Sequence, residues 1–328
     1  MKRIFFRVDG DNGKKVGMGH IIRSLILYQN LILKLKKDKF KVIFLMKNYE
    51  EGIKFLKKNT KSEICLFNKK FLNQFTLKKS DIFIIDTLGA EKELLKKIFN
   101  KKIKKIISFD ETNFTRYKSG IIFNGIYFFK KNNKKHFKNL KIYQGLKYLI
   151  LNKEYQKKIK KIIHSKNIII SSGGADNKNM LVTLTKMVEN LKTYQKIFVI
   201  VGPGVKKNNP IFKYKKKKTT QIIVRPKNLK NYFDQATICL VSGGNVMFES
   251  ILQKKKVYVV KLYNNQKYAI RYFKKKGVIK YLGDFKNINY KNLKAALFTQ
   301  VKFKKLNEKF DGRGLNRVIS KIIPFINN

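Results

Sequence analysis

Short apolar runs of four to six residues, bounded by polar turns, recur along the chain. In the first half such runs predict strands at Ile4–Val8, Lys41–Met46, Glu63–Phe67, Asp81–Asp86, Lys105–Phe109 and Gly120–Asn124. Amphipathic stretches between them, including Ile21–Leu35 and Glu91–Phe99, predict helices. Runs that are apolar throughout, without strict alternation, suit a parallel sheet buried on both faces. A lysine-rich stretch, Lys130–Lys141 and then Asn152–Lys166, reads as an interdomain region. The pattern then restarts with strands at Asn167–Ser172, Lys196–Val201, Gln221–Arg225, Thr237–Val241 and Val257–Leu262. Helices are predicted at Asn177–Leu191, Asn228–Ala236, Val246–Gln253, Asn265–Lys276, Tyr290–Phe298 and Gly314–Ile326. Two successive units of this kind make an α/β protein with parallel sheets and an interdomain cleft, divided as residues 1–150 and 151–328.

The turns carry the chemistry. The first strand runs into Arg7-Val-Asp9 and then a glycine loop, Gly17-Met-Gly19-His20-Ile-Ile-Arg23, that opens a helix. Strand, glycine loop and helix in that order build a phosphate or sugar-nucleotide site at the carboxyl edge of a parallel sheet. The spacing is not the dinucleotide fingerprint, because Arg23 stands where the third glycine would be. His20 and Arg23 lie three apart, so a helix puts them on one face. A proton-accepting imidazole beside a cation suits an anionic substrate. Strands also end at Asp86 and Asp110, where parallel sheets bind ligands.

The second half has two more such loops, Ser172-Gly173-Gly174-Ala-Asp176 and Ser242-Gly243-Gly244-Asn245, each after a strand and before a helix. Backbone amides left free at a helix start form a phosphate cradle. Glu249, one turn into the helix that follows, has two acceptor oxygens suited to ribose hydroxyls.

Composition changes the picture in two places. At 328 residues and 43% apolar, the chain is long enough for two domains with separate cores. The net charge of +56 points first to nucleic acid, yet the cations are overwhelmingly lysine, with eight arginines spread along the whole chain. No nucleic-acid motif or aromatic stacking stripe accompanies them, so no specific nucleic-acid partner is expected. Such a field attracts a nucleoside diphosphate sugar electrostatically. No apolar run reaches the length of a membrane span, so no membrane insertion is expected. The start, Met1-Lys-Arg-Ile-Phe-Phe-Arg, turns charged too soon for a signal peptide. Cys65 and Cys239 sit in apolar runs and read as core thiols in a reducing, cytoplasmic compartment. No metal-ligand spacing is present, and His136 and His164 fall in lysine-rich segments as solvated side chains.

Taken in order, these motifs resemble the UDP-sugar hydrolases of pseudaminic acid biosynthesis, which are similar to the lipid-II-forming N-acetylglucosaminyl transferase and to a spore-coat polysaccharide protein. The resemblance begins at Arg7-x-Asp9 and Gly17-x-Gly19-His20-x-x-Arg23. It continues through Ile85-Asp86-Thr-Leu-Gly89, Ser108-Phe-Asp110-Glu111, Phe123-Asn124 and Gly145-Leu-Lys-Tyr148. It returns at Gly173-Gly174, at Ser242-Gly243-Gly244-Asn245, at Asn265-Gln266 and at Phe310-Asp311-Gly312-Arg313-Gly314-Leu-Asn-Arg317. It implies a GT-B fold of two Rossmann-like domains, the sugar held by the first and UDP by the second, with the last helix crossing back toward the first. It implies His20 as the catalytic residue. Arg7, Asp9, Gly17, Gly19, Arg23, Asp86, Asn265 and Gln266 are the implied substrate contacts. Gly173, Gly174, Ser242, Gly243, Gly244, Asn245 and Glu249 are the implied UDP contacts. No cofactor and no metal are implied. The implied substrate class is a UDP-linked 2,4-diacetamido-2,4,6-trideoxy sugar, hydrolysed to UDP and free sugar. The alternative is a glycosyltransferase of the same fold, in which an acceptor hydroxyl replaces water. The chain departs from the family at Thr87-Leu88, where His-Tyr is frequent, and at Asn152, where arginine is frequent.

Overall fold

The computed structural model describes residues 1–11, 16–35, 39–87, 89–109, 116–126, 139–156, 165–226, 228–306 and 308–327. Leu88, Asp110, Glu111, His136 and His164, and most of the Lys130–Lys141 and Asn152–Lys166 stretches, lie outside them. The strands are β1 (Lys2–Val8), β2 (Phe40–Met46), β3 (Glu63–Leu66), β4 (Ile82–Asp86), β5 (Lys105–Phe109), β6 (Gly120–Asn124), β7 (Leu140–Gln144), β8 (Asn167–Ser171), β9 (Lys196–Val201), β10 (Thr220–Val224), β11 (Ile238–Ser242), β12 (Lys256–Lys261) and β13 (Lys280–Asp284). The helices are α1 (Gly19–Ile32), α2 (Glu50–Asn59), α3 (Lys69–Gln74), α4 (Lys92–Asn100), α5 (Met180–Asn190), α6 (Lys230–Gln235), α7 (Asn245–Leu252), α8 (Lys267–Lys275), α9 (Tyr290–Phe298) and α10 (Gly314–Asn327).

The chain divides into two units. The first comprises Met1–Asp11, His20–Asn152 and Lys309–Asn328. Its seven strands form one parallel sheet in the order β3-β2-β1-β4-β5-β6-β7. The order reverses between β1 and β4, whose register pairs Val8 with Asp86. β4 and β6 are buried along their whole length, as their unbroken apolar runs predict. On one face Phe5, Leu45, Phe83, Ile85 and Ile122 join Leu94, Leu95 and Ile98 of α4 in a single core.

The second unit comprises Asn12–Gly19 and Lys153–Glu308. Its six strands are parallel in the order β10-β9-β8-β11-β12-β13, with the reversal between β8 and β11. Ile168, Ile170, Val199, Val201, Leu240 and Val260 pack against Leu181, Leu184 and Val188 of α5.

Two strands, β7 and β13, are missing from the elements read off the sequence. Both are sheet edges, and their residues after the first are mostly half-exposed, giving mixed sequences, Leu-Lys-Ile-Tyr-Gln and Lys-Tyr-Leu-Gly-Asp. An edge strand carries no continuous apolar run to reveal it. The start of the lysine-rich stretch read as interdomain thus ends inside the first sheet, since Leu140 and Lys141 belong to β7.

Candidate functional site

In a doubly wound sheet, ligands bind outside the carboxyl ends of the strands where the order reverses. In the first unit that point lies between the ends of β1 and β4. The two strand ends deliver Asp9 and Asp86, and α1 brings His20, Arg23 and Ser24. His20 Nδ1 lies 2.7 Å from Asp86 Oδ1. Arg23 Nε donates to Asp86 Oδ2 at 2.8 Å, its Nη2 donates to Oδ1, and the Ser24 hydroxyl donates to Oδ2 at 3.2 Å. The face shared by positions three and four apart on α1 therefore converges on one carboxylate. Burial alone would push the Asp86 carboxyl up, but the Arg23 guanidinium and His20 hold it well below the usual carboxylate range. An ionised carboxylate only accepts, so the His20 tautomer that fits has its proton on Nδ1 and its lone pair on Nε2. The imidazole is 15% exposed, whereas Asp86 is 1% exposed. The geometry is that of an imidazole with an orienting carboxylate behind it.

Several residues read as substrate contacts have other work. Asp86 is enclosed and anchors His20 and Arg23. Arg23 is committed to Asp86, with its guanidinium 5.7 Å from the Phe109 ring centroid. Arg7 has no exposed surface, and Asp9 beside it is spent on Arg7 and the Lys47 amide. Lone strand-end charges look alike in sequence whether they face ligand or one another. Glu91 joins this network through Arg7, and nothing in the local sequence marks it.

The reversal in the second unit brings together the turns after β8 and β11. Ser242 Oγ donates to the Ser172 carbonyl at 2.8 Å and ties them. Gly173 adopts φ +84°, a conformation open to glycine, and its amide donates to Ser171 Oγ at 3.2 Å. The turn does not open a helix directly. α5 starts at Met180, and Asp176 accepts from the amides of Met180 at 2.8 Å and Leu181 at 3.2 Å. The helix start read at Asn177 is thus displaced to Met180, and its first amides are already capped. Gly174 has a packing reason instead: a Cβ there would lie 2.6 Å from the Met18 Cβ. The second turn opens its helix directly. α7 begins at Asn245, immediately after Gly244, and no side chain among the described residues caps it. Gly243 fits under Ile270, and a Cβ placed on Gly244 would lie 4.0 Å from the Gln266 Nε2. Gln266 Oε1 accepts from the Leu262 amide at 2.8 Å, so this side chain holds the turn after β12. Asn265 is exposed in that turn, and Gly17 has open space around its α-carbon. A Cβ on Gly19 would lie 4.0 Å from Asn245 Nδ2.

Glu249 is half-buried on α7. Burial, reinforced by the Glu154 carboxylate, pushes its carboxyl up to about 7, against a hydrogen bond from Tyr155. Tyr155 is a polar group at this end that no motif announced, and the enclosed hydroxyl of Ser172, from the first glycine loop, has no partner among the described residues.

No family model matches the chain. It is 32% identical over 275 residues to an uncharacterized protein of Methanocaldococcus jannaschii, MJ1062, an alignment covering 78% of this chain and 55% of that protein's length. It is 28% identical over 253 residues to the spore coat polysaccharide biosynthesis protein SpsG of Bacillus subtilis, covering 74% of this chain and 72% of SpsG. Among solved structures, MurG of Acinetobacter baumannii superposes with a TM-score of 0.56 at 12% identity, over 98% of this chain and 99% of MurG. The chain has the GT-B fold. Arabidopsis thaliana UGT89C1 complexed with UDP shares it, with a TM-score of 0.57 at 10% identity over 98% of this chain and the whole of that one. Among the described residues no helix is long and apolar enough to cross a membrane.

Proposed function

We propose that the protein cleaves a UDP-linked amino sugar, with water as the attacking group and UDP as the leaving group. The observation that carries this reading is the His20–Asp86 pair, which leaves Nε2 free to accept a proton. Water at the anomeric carbon would give its proton to Nε2. The imidazolium that forms is stabilised by the ionised Asp86 behind it, as in other base–orienter pairs. The second unit supplies the nucleotide end. The uncapped start of α7 after Ser242-Gly243-Gly244 presents backbone amides and a positive helix end to the diphosphate. Charge that grows on the departing UDP is then met by donors already in place. Glu249 accepts from the ribose hydroxyls. Asn265 and the Gln266 amide nitrogen contact the sugar-phosphate. No step calls for a metal. The pattern of motifs supports a 2,4-diacetamido-2,4,6-trideoxy sugar as the glycosyl group, and the name of the SpsG relative supports a place in surface-glycan synthesis.

A glycosyltransferase would use the same base on an acceptor hydroxyl, and the MurG likeness in fold keeps that reading in play. The test is UDP release from a panel of UDP-amino sugars by the full chain, with EDTA and no acceptor, followed by NMR of the sugar. Rapid release of free sugar establishes the hydrolase. UDP binding without release, relieved by an added acceptor, establishes the transferase.

A further inference from the structure

One heavily bonded side chain of the first unit is not used by the proposed reaction. Arg7 is fully enclosed in β1. Its Nη1 and Nη2 donate to the two oxygens of Asp9 at 2.6 and 2.7 Å. Its Nε donates to Glu91 Oε2 at 3.3 Å, and Nη2 also donates to Glu91 Oε1. Nη1 further reaches the carbonyls of Val8 at 3.1 Å and Leu45 at 3.3 Å. The guanidinium lies over Phe67, 4.4 Å from the ring centroid. Outside it, Lys47 gives its amide to Asp9 at 3.0 Å and its ammonium to Glu91 at 3.2 Å.

The two carboxylates stand on the two chain exits that deliver the His20–Asp86 pair. Asp9 follows β1, and the next residue, Gly10, sits so close to α1 that a Cβ on it would lie 2.6 Å from Ile21 Cγ2. Ile21 is the neighbour of His20. On the other side, Glu91 closes the loop that leaves β4 directly after Asp86. A planar guanidinium fixes the direction of each bond it donates, so one group sets both exits relative to each other.

We propose that Glu91, acting through Arg7 and Asp9, is a positioning residue that holds His20 at hydrogen-bonding distance from Asp86. Its effect on rate rests on the general-base reading of His20. Removing the Glu91 charge leaves Arg7 paired with Asp9, so the core ion keeps a partner, but it releases the loop after β4 from the exit of β1.

The experiment compares Glu91→Gln and Glu91→Asp in the full chain, using the UDP-sugar turned over in the panel above. Glu91→Gln lowers kcat by about 10–100-fold, the range a small misplacement produces. KM and the Kd for UDP stay within about threefold, and Glu91→Asp recovers most of the loss. Nitrogen-15 histidine NMR of the ligand-free protein shows the His20 Nδ1–H signal, assigned by its absence in His20→Asn, weakened or shifted in Glu91→Gln. A kcat within about twofold of wild type overturns the proposal, as does a kcat loss matched by equal losses of UDP affinity and thermal stability. Where the wild type turns over no UDP-sugar, the hydrolase reading fails by itself. The NMR comparison then decides the positioning role, an unchanged His20 signal overturning it and an altered one supporting it.

Discussion

The ends of the two sheets solve different problems with different materials. In the first unit the groups are side chains, nearly all bonded to one another: Asp86 takes His20, Arg23 and Ser24, while Arg7 takes Asp9 and Glu91. In the second unit the groups at the turn after β11 are backbone amides and glycines. A network of buried charges is costly to assemble and is ruined by the loss of one partner, but it fixes an atom within a narrow range. Amides at a helix start tolerate side-chain change and attract negative charge wherever it is spread. The contrast teaches where each unit is vulnerable: the first to isosteric substitutions that change only charge, the second to added volume.

The sharpest way to break the comparison is Asp86→Asn. It leaves Arg23 and His20 without their carboxylate, and turnover falls about 10³–10⁴-fold. Stability drops by about 3–5 kcal/mol, the cost of stranding a buried charge, read from the denaturation midpoint. UDP affinity, measured by calorimetry, stays within a few-fold. His20→Asn comes next, with a loss of about 10²–10⁴-fold in kcat and UDP binding intact; turnover near wild type would remove His20 from the reaction.

Gly243→Ala probes the other side. Its methyl group would lie 2.6 Å from Ile270, and overpacking of this kind costs about 1–3 kcal/mol. The Kd for UDP rises by about tenfold, while kcat at saturation hardly moves. If kcat falls and Kd does not, the division of labour between the two turns is wrong.

The smallest expected effect is a pH dependence. Glu249, with its carboxyl pushed up to about 7, holds its proton more tightly folded than unfolded. Its contribution to stability is therefore complete below the ordinary carboxylate range and is lost as pH rises through about 7. UDP binding runs the opposite way, because only the ionised form accepts from two ribose hydroxyls, so affinity climbs over the same interval. Glu249→Gln flattens both curves; a wild-type Kd for UDP that does not vary between pH 6 and pH 8 would take Glu249 out of the nucleotide site.

How much of this was legible in the sequence follows from how local each feature is. The β1–loop–α1 unit, with His20 and Arg23 on one face, is written in spacing alone, and so is the Ser242-Gly243-Gly244 turn into α7. The meeting of His20 with Asp86 spans 66 positions and becomes visible only when β1 pairs with β4. Arg7 and Asp9 read as ligand contacts because position at a strand end does not say whether a charge faces outward or into its neighbour. Asp176 was read as part of a glycine loop, although its carboxylate caps a helix that starts four residues later. The edge strands β7 and β13 escaped because lysine and tyrosine replace the apolar run that marks the central strands.

The residues around Gly314 bear on how the protein is made. Arg317 donates to Asp311 at 2.7 Å and to the Lys147 carbonyl at 3.2 Å, and a Cβ on Gly314 would lie 1.9 Å from the Leu149 carbonyl oxygen. The helix that begins there buries Leu315, Val318, Ile319 and Ile322, and Lys105 reaches its far end at the Ile326 carbonyl. The first unit is thus built from stretches that lie on either side of Lys153–Glu308 in the sequence. The helix that buries these residues against the first unit is translated only after Lys153–Glu308. The second unit, continuous from Lys153 to Glu308 apart from a short loop, emerges nearly whole before that helix is made.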